Sequence, residues 1–391
     1  MPRSLGGILS LDDFENAARR RLPRPIFQYV AGGVEDNVTM RDNRAAFSEL
    51  GFVPRSLVNV SKRSTARALF GRDYAMPFGI APMGISALSA YRGDLVLARG
   101  AREENIPMVM SGSSLIRLED LCTEYPGAWF QAYLPGADDK IVALVDRVER
   151  AGFQTLVITV DTPVYANREN NIRAGFSTPL RPNLRLAWDG ITRPRWLAGN
   201  LMRTLLRHGM PHFENSFATR GAPIIARNVD RDFTGKDHLN WAHLELIRKQ
   251  WKGRLVVKGI MHPEDARIAR ETGAQGVIVS NHGGRQLDST VSPLRVLPSV
   301  VAVAGDMTVM MDSGIRRGTD VLKALALGAR FVFVGRPFNY AAAVAGEAGV
   351  RHAVEILGGE VNRGMAQLGI NSLDDLEPGM LVRIGGVNPR G

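Results

Sequence analysis

Residues 276–288 read GVIVSNHGGRQLD, an apolar run that ends abruptly in polar side chains. Val277, Ile278 and Val279 have the composition of a buried strand, and a histidine, two glycines and an arginine follow within six positions. A short, continuous run of β-branched residues is typical of a parallel strand that is covered on both faces. The stretch therefore predicts a core strand whose carboxyl end carries chemically active side chains.

The same pattern occurs eight times between residues 75 and 340, as a short apolar run, a polar or glycine-containing turn and a helix-like stretch. Eight parallel strands that alternate with helices close into a barrel, so we predict an α/β fold, the (β/α)8 TIM barrel. The eight runs are 78–82 (FGIAP), 107–112 (PMVMSG), 129–134 (WFQAYL), 155–161 (TLVITVD), 254–260 (RLVVKGI), 276–282 (GVIVSNH), 308–314 (TVMMDSG) and 331–337 (FVFVGRP).

The chain is expected to be a single domain over residues 1–391. Residues 1–75 predict an N-terminal helical cap over one end of the barrel, in which Ser10 and Asp13 cap the first helix. The barrel spans 76–340, and 341–391 form C-terminal helices and a tail. Roughly ninety residues separate the fourth and fifth strands, far more than a βαβ loop needs, so an insert is predicted at about 175–240.

Composition and charge narrow the class of protein. Lys and Arg number 49 against 39 Asp and Glu, a net charge of +10, which could favour an anionic partner. The sequence has no zinc-finger spacing, no aromatic RNA-binding signature and no long basic block, so no nucleic-acid partner is expected. The single Cys122 excludes an internal disulfide and fits a cytoplasmic location. Asp12, Asp13 and Glu15 argue against a signal peptide, and no apolar run reaches the roughly 18 residues of a spanning helix.

Residues 181–210, within the predicted insert, have an unusual composition of six arginines, one acid, Trp188 and Trp196. A basic segment interleaved with Trp and Leu is typical of an element that lies on a membrane surface. The alternative is a loop or helix that covers the active site, with its arginines in solvent. Both interpretations stay open on the sequence alone.

Polar side chains gather where the predicted strands end, which is the active-site face of such barrels. Taken singly, each has a structural explanation, such as a helix cap, an ion pair or a satisfied core histidine. Their common placement predicts an active site. The residues are Gly84, Ser111, Gln131, Tyr133, Thr159, Asp161, Lys258, His282, Arg285, Asp312, Gly335 and Arg336.

The last two strand ends predict what is bound. DSGIRRGTD (312–320) and VGRP (334–337) each place glycine and arginine at a strand-to-helix turn, which suits a phosphate group. The alternative is C-cap glycines beside surface arginines. Neither a G-x-G-x-x-G fingerprint nor a Walker motif occurs, so a phosphorylated cofactor lying across the barrel mouth, such as FMN, is favoured. No metal site is expected.

SNHGGRQLD, together with DSGIRRGTDVLKALALGA, VGRP, LPRPIFQYVAGG, FQAYL and TVDTP, resembles the FMN-dependent 2-hydroxy-acid oxidases and dehydrogenases. Members include glycolate oxidase, L-lactate dehydrogenase and mandelate dehydrogenase, and the likeness runs from about residue 11 to about 370. The resemblance, greatest to the lactate and mandelate dehydrogenase branch, implies FMN as the cofactor. It implies oxidation of an L-2-hydroxy acid, L-lactate-like, to the 2-oxo acid, with hydride passing to the flavin.

The resemblance also implies roles for individual residues. His282 would be the base, with Asp161 paired to its imidazole and Tyr133 beside the substrate hydroxyl. The residues that would bind the substrate are Tyr29, Tyr133, Arg168 and Arg285. The residues that would bind FMN are Ala81, Pro82, Met83, Ser111, Gln131, Thr159, Lys258, Asp312, Gly314, Arg316, Gly335 and Arg336.

The same resemblance assigns individual residues to different parts of the flavin. Lys258 would lie beside the N1–O2 edge, the backbone around 81–83 near the reactive edge, and Asp312 on the ribityl chain. The ring would be hydrogen-bonded by Ser111, Gln131 and Thr159. The phosphate would be surrounded by Gly314, Arg316, Gly335 and Arg336.

Two positions bear on substrate and acceptor. Glycolate oxidases have tryptophan where this chain has Ser113, so a roomier pocket is expected. They have alanine where this chain has Gly84, and glycine at this position resembles the lactate and mandelate dehydrogenases. The dehydrogenase branch implies a quinone or another respiratory acceptor, and 181–210 would then contact the inner face of the cell membrane. The alternative is a soluble oxidase that uses oxygen and produces hydrogen peroxide. A homotetramer is implied by the resemblance alone.

Two other classes compete with oxidation of a hydroxy acid. One is an FMN barrel with non-oxidative chemistry, such as an isomerase of prenyl diphosphates. The other is a catalytically inactive barrel that acts as a binding scaffold. Neither explains why His282, Arg285 and Arg168 occur together.

Overall fold

A barrel of eight parallel strands forms the centre of the molecule. The computed structural model describes residues 5–176, 184–226 and 236–384. The strands are β1 (Phe78–Ile80), β2 (Val109–Ser111), β3 (Trp129–Ala132), β4 (Thr155–Thr159), β5 (Arg254–Ile260), β6 (Gly276–Val279), β7 (Thr308–Met311) and β8 (Phe331–Val334). Their order is β1-β8-β7-β6-β5-β4-β3-β2, and a parallel bridge between Ile80 and Met108 joins the two ends. The predicted TIM barrel is confirmed.

Most strands end a few residues before the ends of the predicted runs. The residues at the carboxyl ends of those runs belong to the connections that follow the strands. The run 276–282 was predicted as extended, yet β6 ends at Val279. His282 has a φ of 57°, in the left-handed region, and Gly283 and Gly284 continue there with φ of 68° and 71°. Two glycines thus allow the tight turn that projects His282 from the barrel mouth.

The helices cover the outside of the barrel. The helix after β3, Asp138–Arg150, buries Ile141, Leu144, Val145 and Val148 against it. The helices that follow or precede the strands are Ser86–Ser89, Gly93–Glu103, Leu118–Glu124, Asp138–Arg150, Trp241–Gln250, Pro263–Glu271, Pro293–Val303, Gly318–Ala326 and Arg336–Leu368, the last one kinked at Ala345 and Gly346.

The amino-terminal end of the barrel is closed by a hairpin, in which Arg67–Leu69 pairs with Arg72–Tyr74. Phe70 at its tip packs against Trp129, with ring centroids 5.5 Å apart. Buried side chains from seven of the strands fill the interior above it, among them Val157, Val256 and Met310. One end of the barrel is therefore a packed core, and the other end remains for chemistry.

The N-terminal segment is only partly as predicted. Helices Leu11–Arg21 and Val38–Ser48 form, and Ser10 N–H donates to the Asp13 carboxylate at 2.8 Å in the predicted cap. Helix Arg24–Ala31 was not predicted. The segment is also not purely helical, because besides the hairpin it contributes Leu50–Phe52, which pairs antiparallel with Leu381–Arg383 near the end of the described chain.

The insert between β4 and β5 is helical as far as His208, and its described residues 209–226 contain no helix. Of the predicted insert and the basic segment within it, residues 177–183 and 227–235 lie outside the described residues. The described helices are Glu169–Ala174, Leu184–Ile191, Pro194–Trp196, a π-helical turn Leu197–Met202, and Arg203–His208. Short 3₁₀ turns, Leu373–Asp375 and Pro378–Met380, follow the last long helix. Among the described residues, no helix is both long and apolar enough to cross a bilayer.

Candidate functional site

A cavity opens at the carboxyl ends of the strands and contains about 1050 Å³ free of protein atoms, counting its opening to solvent. All but three of the predicted site residues line it, and those three, Ser111, Gln131 and Asp161, contact residues near it. The predicted lining residues are Tyr29, Ala81, Pro82, Met83, Gly84, Ser113, Tyr133, Thr159, Arg168, Lys258, His282, Arg285, Asp312, Gly314, Arg316, Gly335 and Arg336.

An imidazole–carboxylate pair lies at one side of the cavity. His282 Nδ1 is 2.8 Å from Asp161 Oδ1, and His282 Nε2 is 3.4 Å from the Tyr133 hydroxyl. Burial lowers the pKa of His282 below its ordinary value, and the Asp161 carboxylate opposes that change without reversing it. Burial acts to raise the pKa of Asp161, but His282 and Lys258 lower it by more. The pKa therefore lies below its ordinary value, and this carboxyl is ionised. The arrangement is a neutral imidazole with one nitrogen toward the cavity, which can accept a proton.

A buried cation lies in the floor of the cavity. Lys258 Nζ is 3.2 Å from Asp312 Oδ2 and donates to Ser280 Oγ at 2.8 Å. Burial lowers the pKa of Lys258, yet Asp312 and Asp161 raise it above its ordinary value. The ammonium group therefore stays charged, and Asp312 compensates it.

Arg285 reaches the cavity from the loop after β6. Its Nη1 donates to the main-chain oxygens of Tyr29 and Gly32, each at 2.8 Å. Its Nε and Nη2 donate no hydrogen bond within the described parts of the chain, so one edge of the guanidinium is available to a planar anion. Burial, together with Arg168, lowers the pKa of Arg285 to about 9.

Arg336 begins the helix after β8. It donates to the main-chain oxygens of Val30, Gly283 and Gly32 at 2.9, 3.0 and 3.0 Å. Burial lowers its pKa. In residues 5–176, 184–226 and 236–384, neither Arg336 nor Arg285 has a carboxylate oxygen within 4.0 Å of its guanidinium nitrogens. Both cations are therefore available to bind an anion from outside the described chain.

Gly314 and Arg316 follow β7 as predicted. Gly314 has a φ of 87°, and a Cβ on it would lie 2.0 Å from the Asn43 main-chain oxygen, so another residue would clash there. Burial and the neighbouring Arg44 lower the pKa of Arg316 to about 10, and its Nε is 3.5 Å from Asp12 Oδ1. Helix Gly318–Ala326 starts two residues later, so its N-terminus adds a positive field beside this corner of the cavity.

Orphaned polar atoms test whether a flavin suits the site. Gln131 Nε2 and Thr159 Oγ1 are buried and have no hydrogen-bond partner among the described residues. Gln131 Oε1 already accepts from Ser111 Oγ at 3.2 Å. Leaving a buried amide or hydroxyl without a partner costs about 1–3 kcal/mol, so a ring with donors and acceptors at its edge would satisfy them. With the arginines at the opposite side, the donor set fits a ring joined to a phosphate.

Seven residues that line the cavity were not predicted from the sequence. They contribute main-chain groups or wall area rather than titratable chemistry, and most adjoin a predicted residue. Asn339 is different, because it is buried and lies three residues after Arg336, on the same face of one helix. Helical spacing could have found it. The residues are Val30, Gly283, Ser313, Ile315, Phe333, Val334 and Asn339.

Comparison with known proteins agrees with this chemistry. The chain is 36% identical to (S)-mandelate dehydrogenase of Pseudomonas putida, over 97% of this chain and 95% of that protein. It is 37% identical to L-lactate dehydrogenase of Pectobacterium atrosepticum, over 95% of this chain and 96% of the relative.

Solved structures give the same result. A crystal structure of the monotopic membrane protein (S)-mandelate dehydrogenase superposes with a TM-score of 0.88 at 35% identity, covering 97% of this chain and all of that one. A structure of mandelate oxidase gives a TM-score of 0.79 at 34% identity, over 96% of this chain and 99% of the other. The family model described as FMN-dependent dehydrogenase matches residues 18–383. The chain therefore belongs to the FMN-dependent dehydrogenase family, and FMN is its cofactor.

Proposed function

We propose that the protein oxidises a small L-2-hydroxy acid to the 2-oxo acid. The observation that carries the proposal is one cavity that combines a neutral imidazole, held by Asp161, with an arginine edge that lacks an anion. A 2-hydroxy acid offers matching groups, a carboxylate for the arginine and a hydroxyl for the imidazole. Two relatives of similar identity are named for the oxidation of such acids, L-lactate and (S)-mandelate.

The substrate carboxylate binds the free edge of Arg285, with Arg168 as a second cation and Tyr29 as a hydroxyl donor. Arg285 is suited to this because three main-chain oxygens hold its Nη1 and thereby orient the opposite edge. A bidentate pair fixes the carboxylate in two directions, so the α-carbon is oriented as well as held.

His282 Nε2 accepts the proton of the substrate hydroxyl. Tyr133 lies beside it, and burial raises the pKa of Tyr133, so its hydroxyl stays protonated and donates to the substrate oxygen. Asp161 stabilises the imidazolium that results. The chemistry that bound FMN would supply is a two-electron acceptor for the α-hydrogen.

The remaining residues would hold the cofactor. Lys258 would supply a positive charge to the flavin ring, and the unpartnered Gln131 and Thr159 side chains would hydrogen-bond the ring edge. Asp312 would bind the ribityl chain. The phosphate would be held by Gly314, Arg316, Gly335 and Arg336, and the wall beside the ring would be formed by Ala81, Pro82 and Met83.

Two small residues of the cavity lining bear on the size of the substrate. Gly84 and Ser113 both line the cavity, and they are close together, because a Cβ on Gly84 would lie 3.2 Å from Ser113 Cβ. Two small residues face each other, which favours lactate-like or larger acids over glycolate.

The electron acceptor is a membrane quinone or another respiratory component in this proposal. Trp188, Leu184 and Leu206 on the insert are 67%, 91% and 80% exposed. Arg203 and Arg207, on the same short helix as Leu206, are exposed as well, which suits an anionic membrane surface. Trp196 does not belong to that surface, because it is buried and donates to the Leu88 main-chain oxygen at 2.7 Å. The basic segment therefore has one docked and one exposed tryptophan.

Anaerobic mixing of the holoprotein with a panel of L- and D-2-hydroxy acids tests the reaction. Bleaching of the flavin absorbance by L-lactate or L-mandelate, and not by the D forms, is expected. Absence of bleaching with every acid of the panel would contradict the proposal.

The acceptor and the membrane contact are tested separately. The reduced flavin is expected to be reoxidised rapidly by a soluble quinone analogue and slowly by oxygen; the reverse ranking indicates an oxidase. The protein is expected to sediment with vesicles containing anionic lipid, and Trp188→Ser with Leu206→Ser is expected to remain in the supernatant. A wild-type protein that does not sediment refutes the membrane contact alone.

A further inference from the structure

Gln286 follows Arg285 in the loop after β6 and has no role in the chemistry described so far. Its side chain does not line the cavity, and it is only half-buried. Both ends of its amide nevertheless contact groups that belong to the site. Oε1 accepts a hydrogen bond from Arg168 Nη2, and Nε2 donates to the main-chain oxygen of Asp161 at 3.2 Å.

From these contacts we infer that Gln286 is a positioning residue, which orients the Arg168 guanidinium toward the substrate carboxylate and ties it to Asp161. The inference rests on the proposed function for the identity of the anion. A glutamine amide suits the task, because it presents an acceptor to the cation and a donor to the carbonyl at the same time.

The geometry at Arg168 explains how orientation arises. Its Nε donates to the Arg285 main-chain oxygen at 3.0 Å, and its Nη2 donates to Gln286. These two nitrogens lie on the same edge of the planar guanidinium, so the loop fixes that edge through two hydrogen bonds. Nη1 donates no hydrogen bond within the described residues, and Arg168 lines the cavity. The remaining donors are therefore available to an anion.

The second contact extends the effect to the base. Asp161 pairs with His282 through its side chain, while its main-chain oxygen accepts from Gln286. Behind it, a Cβ on Gly259 would lie 2.7 Å from Asp161 Cβ, so the strand packs closely against this residue. Gln286 thus links the two substrate-facing parts of the site, the cation and the imidazole pair, without touching either reacting atom.

Gln286→Met tests the inference, since it keeps the length of the side chain and removes both hydrogen bonds. We expect KM for the L-2-hydroxy acid and Kd for oxalate, a small anion that is not oxidised, to rise about tenfold, the effect of one lost charge-assisted hydrogen bond. The rate of flavin reduction at saturating substrate is expected to change much less. Oxalate binding is read from the flavin difference spectrum, so it needs no turnover.

A double-mutant cycle separates positioning from a general structural effect. If Gln286 acts through Arg168, the variant with both Arg168→Met and Gln286→Met binds oxalate no more weakly than Arg168→Met alone. Additive effects in the cycle, or an oxalate Kd within twofold of wild type in Gln286→Met, overturn the inference.

A matched control is available in Gln250, whose amide likewise bonds a carbonyl, Val142 O at 3.0 Å, and a carboxylate, Asp146, far from the cavity. Gln250→Met is expected to leave oxalate Kd unchanged, and an equal rise there overturns the inference. A wild-type protein that no L-2-hydroxy acid reduces refutes the proposed function, while the oxalate titration still decides the role of Gln286.

Discussion

The barrel mouth contains two kinds of buried ionisable group, which differ in whether the chain itself supplies the counter-charge. At the ends of β4 to β7, each group has a carboxylate of the chain as its partner: the His282 imidazole lies 2.8 Å from Asp161, and the Lys258 ammonium lies 3.2 Å from Asp312. Around the loop after β6 and the start of the last helix, Arg285 and Arg336 are buried with main-chain oxygens as their partners. We call the first kind complete, because a carboxylate of the chain is its partner. We call the second kind incomplete, because its partners in the described chain are main-chain oxygens.

The difference separates what the protein does from what it binds. A buried cation without an anion is costly, and burial lowers the pKa of both arginines accordingly. In the proposed function, a substrate carboxylate or the cofactor phosphate would supply the missing anion and offset that cost. The completed pairs hold a proton acceptor and a fixed charge ready for the reaction itself.

The largest effect is expected from breaking the complete pair. His282→Gln keeps a polar side chain but removes the proton acceptor, so flavin reduction by the L-acid should fall by about 10²–10⁴-fold. FMN should stay bound, because the phosphate and ring contacts are untouched. Anaerobic stopped-flow absorbance measures both quantities.

His352→Gln provides the control for this change, since that histidine lies outside the cavity and bonds the Ile8 main-chain oxygen. It should reduce the flavin at the wild-type rate. A rate near wild type in His282→Gln would contradict its assignment as the base.

The next effect comes from an incomplete group. Arg285→Lys keeps the charge but loses the planar edge, so KM for the hydroxy acid should rise by about one to two orders of magnitude with a smaller change in kcat. Steady-state kinetics measure the split. Arg267→Lys, on helix Pro263–Glu271 and outside the cavity lining, is the matched control. An unchanged KM in Arg285→Lys would exclude carboxylate binding at this position.

The phosphate corner should respond more weakly, because several groups share it. Arg316→Met is expected to raise Kd for FMN about tenfold, the loss of one charged contact. Its neighbour Arg317 pairs with Glu360 at 2.9 Å instead, so Arg317→Met should retain FMN. Ultrafiltration and flavin fluorescence measure the free cofactor. Equal retention by both variants would place the phosphate elsewhere.

The barrel and most of its mouth were predictable because each signal is local. An apolar run followed at once by polar residues is a property of six or seven neighbouring positions, so β6 and its His282 could be found from the sequence. The roles of Arg168 and Tyr29 came from resemblance to a family, not from the residues alone.

What escaped prediction depends on contacts between distant parts of the chain. Trp188 and Trp196 belong to the same basic segment, and the sequence offers no reason to separate them. Trp196 is buried because the main-chain oxygen of Leu88, 108 positions earlier, accepts its indole N–H. The Gln286 amide likewise owes its importance to Arg168 and Asp161, more than a hundred residues away. Only the folded chain brings such partners together.

The smallest expected effect is a shift in pH dependence, and it tests whether the complete pair is tuned as described. His282 must be neutral to accept a proton, so kcat/KM falls as the pH drops through its pKa in the free enzyme. Burial lowers that pKa, and the Asp161 carboxylate raises it. Asp161→Asn removes the opposing charge, so the pKa falls further and the acid limb moves to lower pH, by about one unit. The plateau rate also drops, because the imidazolium loses its counter-ion. Profiles of kcat/KM between about pH 5 and 8 reveal both changes. An acid limb that stays in place or moves to higher pH would mean that Asp161 does not act on the group that titrates. The pair would then be a structural contact, and the division between complete and incomplete groups would no longer coincide with the division between catalysis and binding.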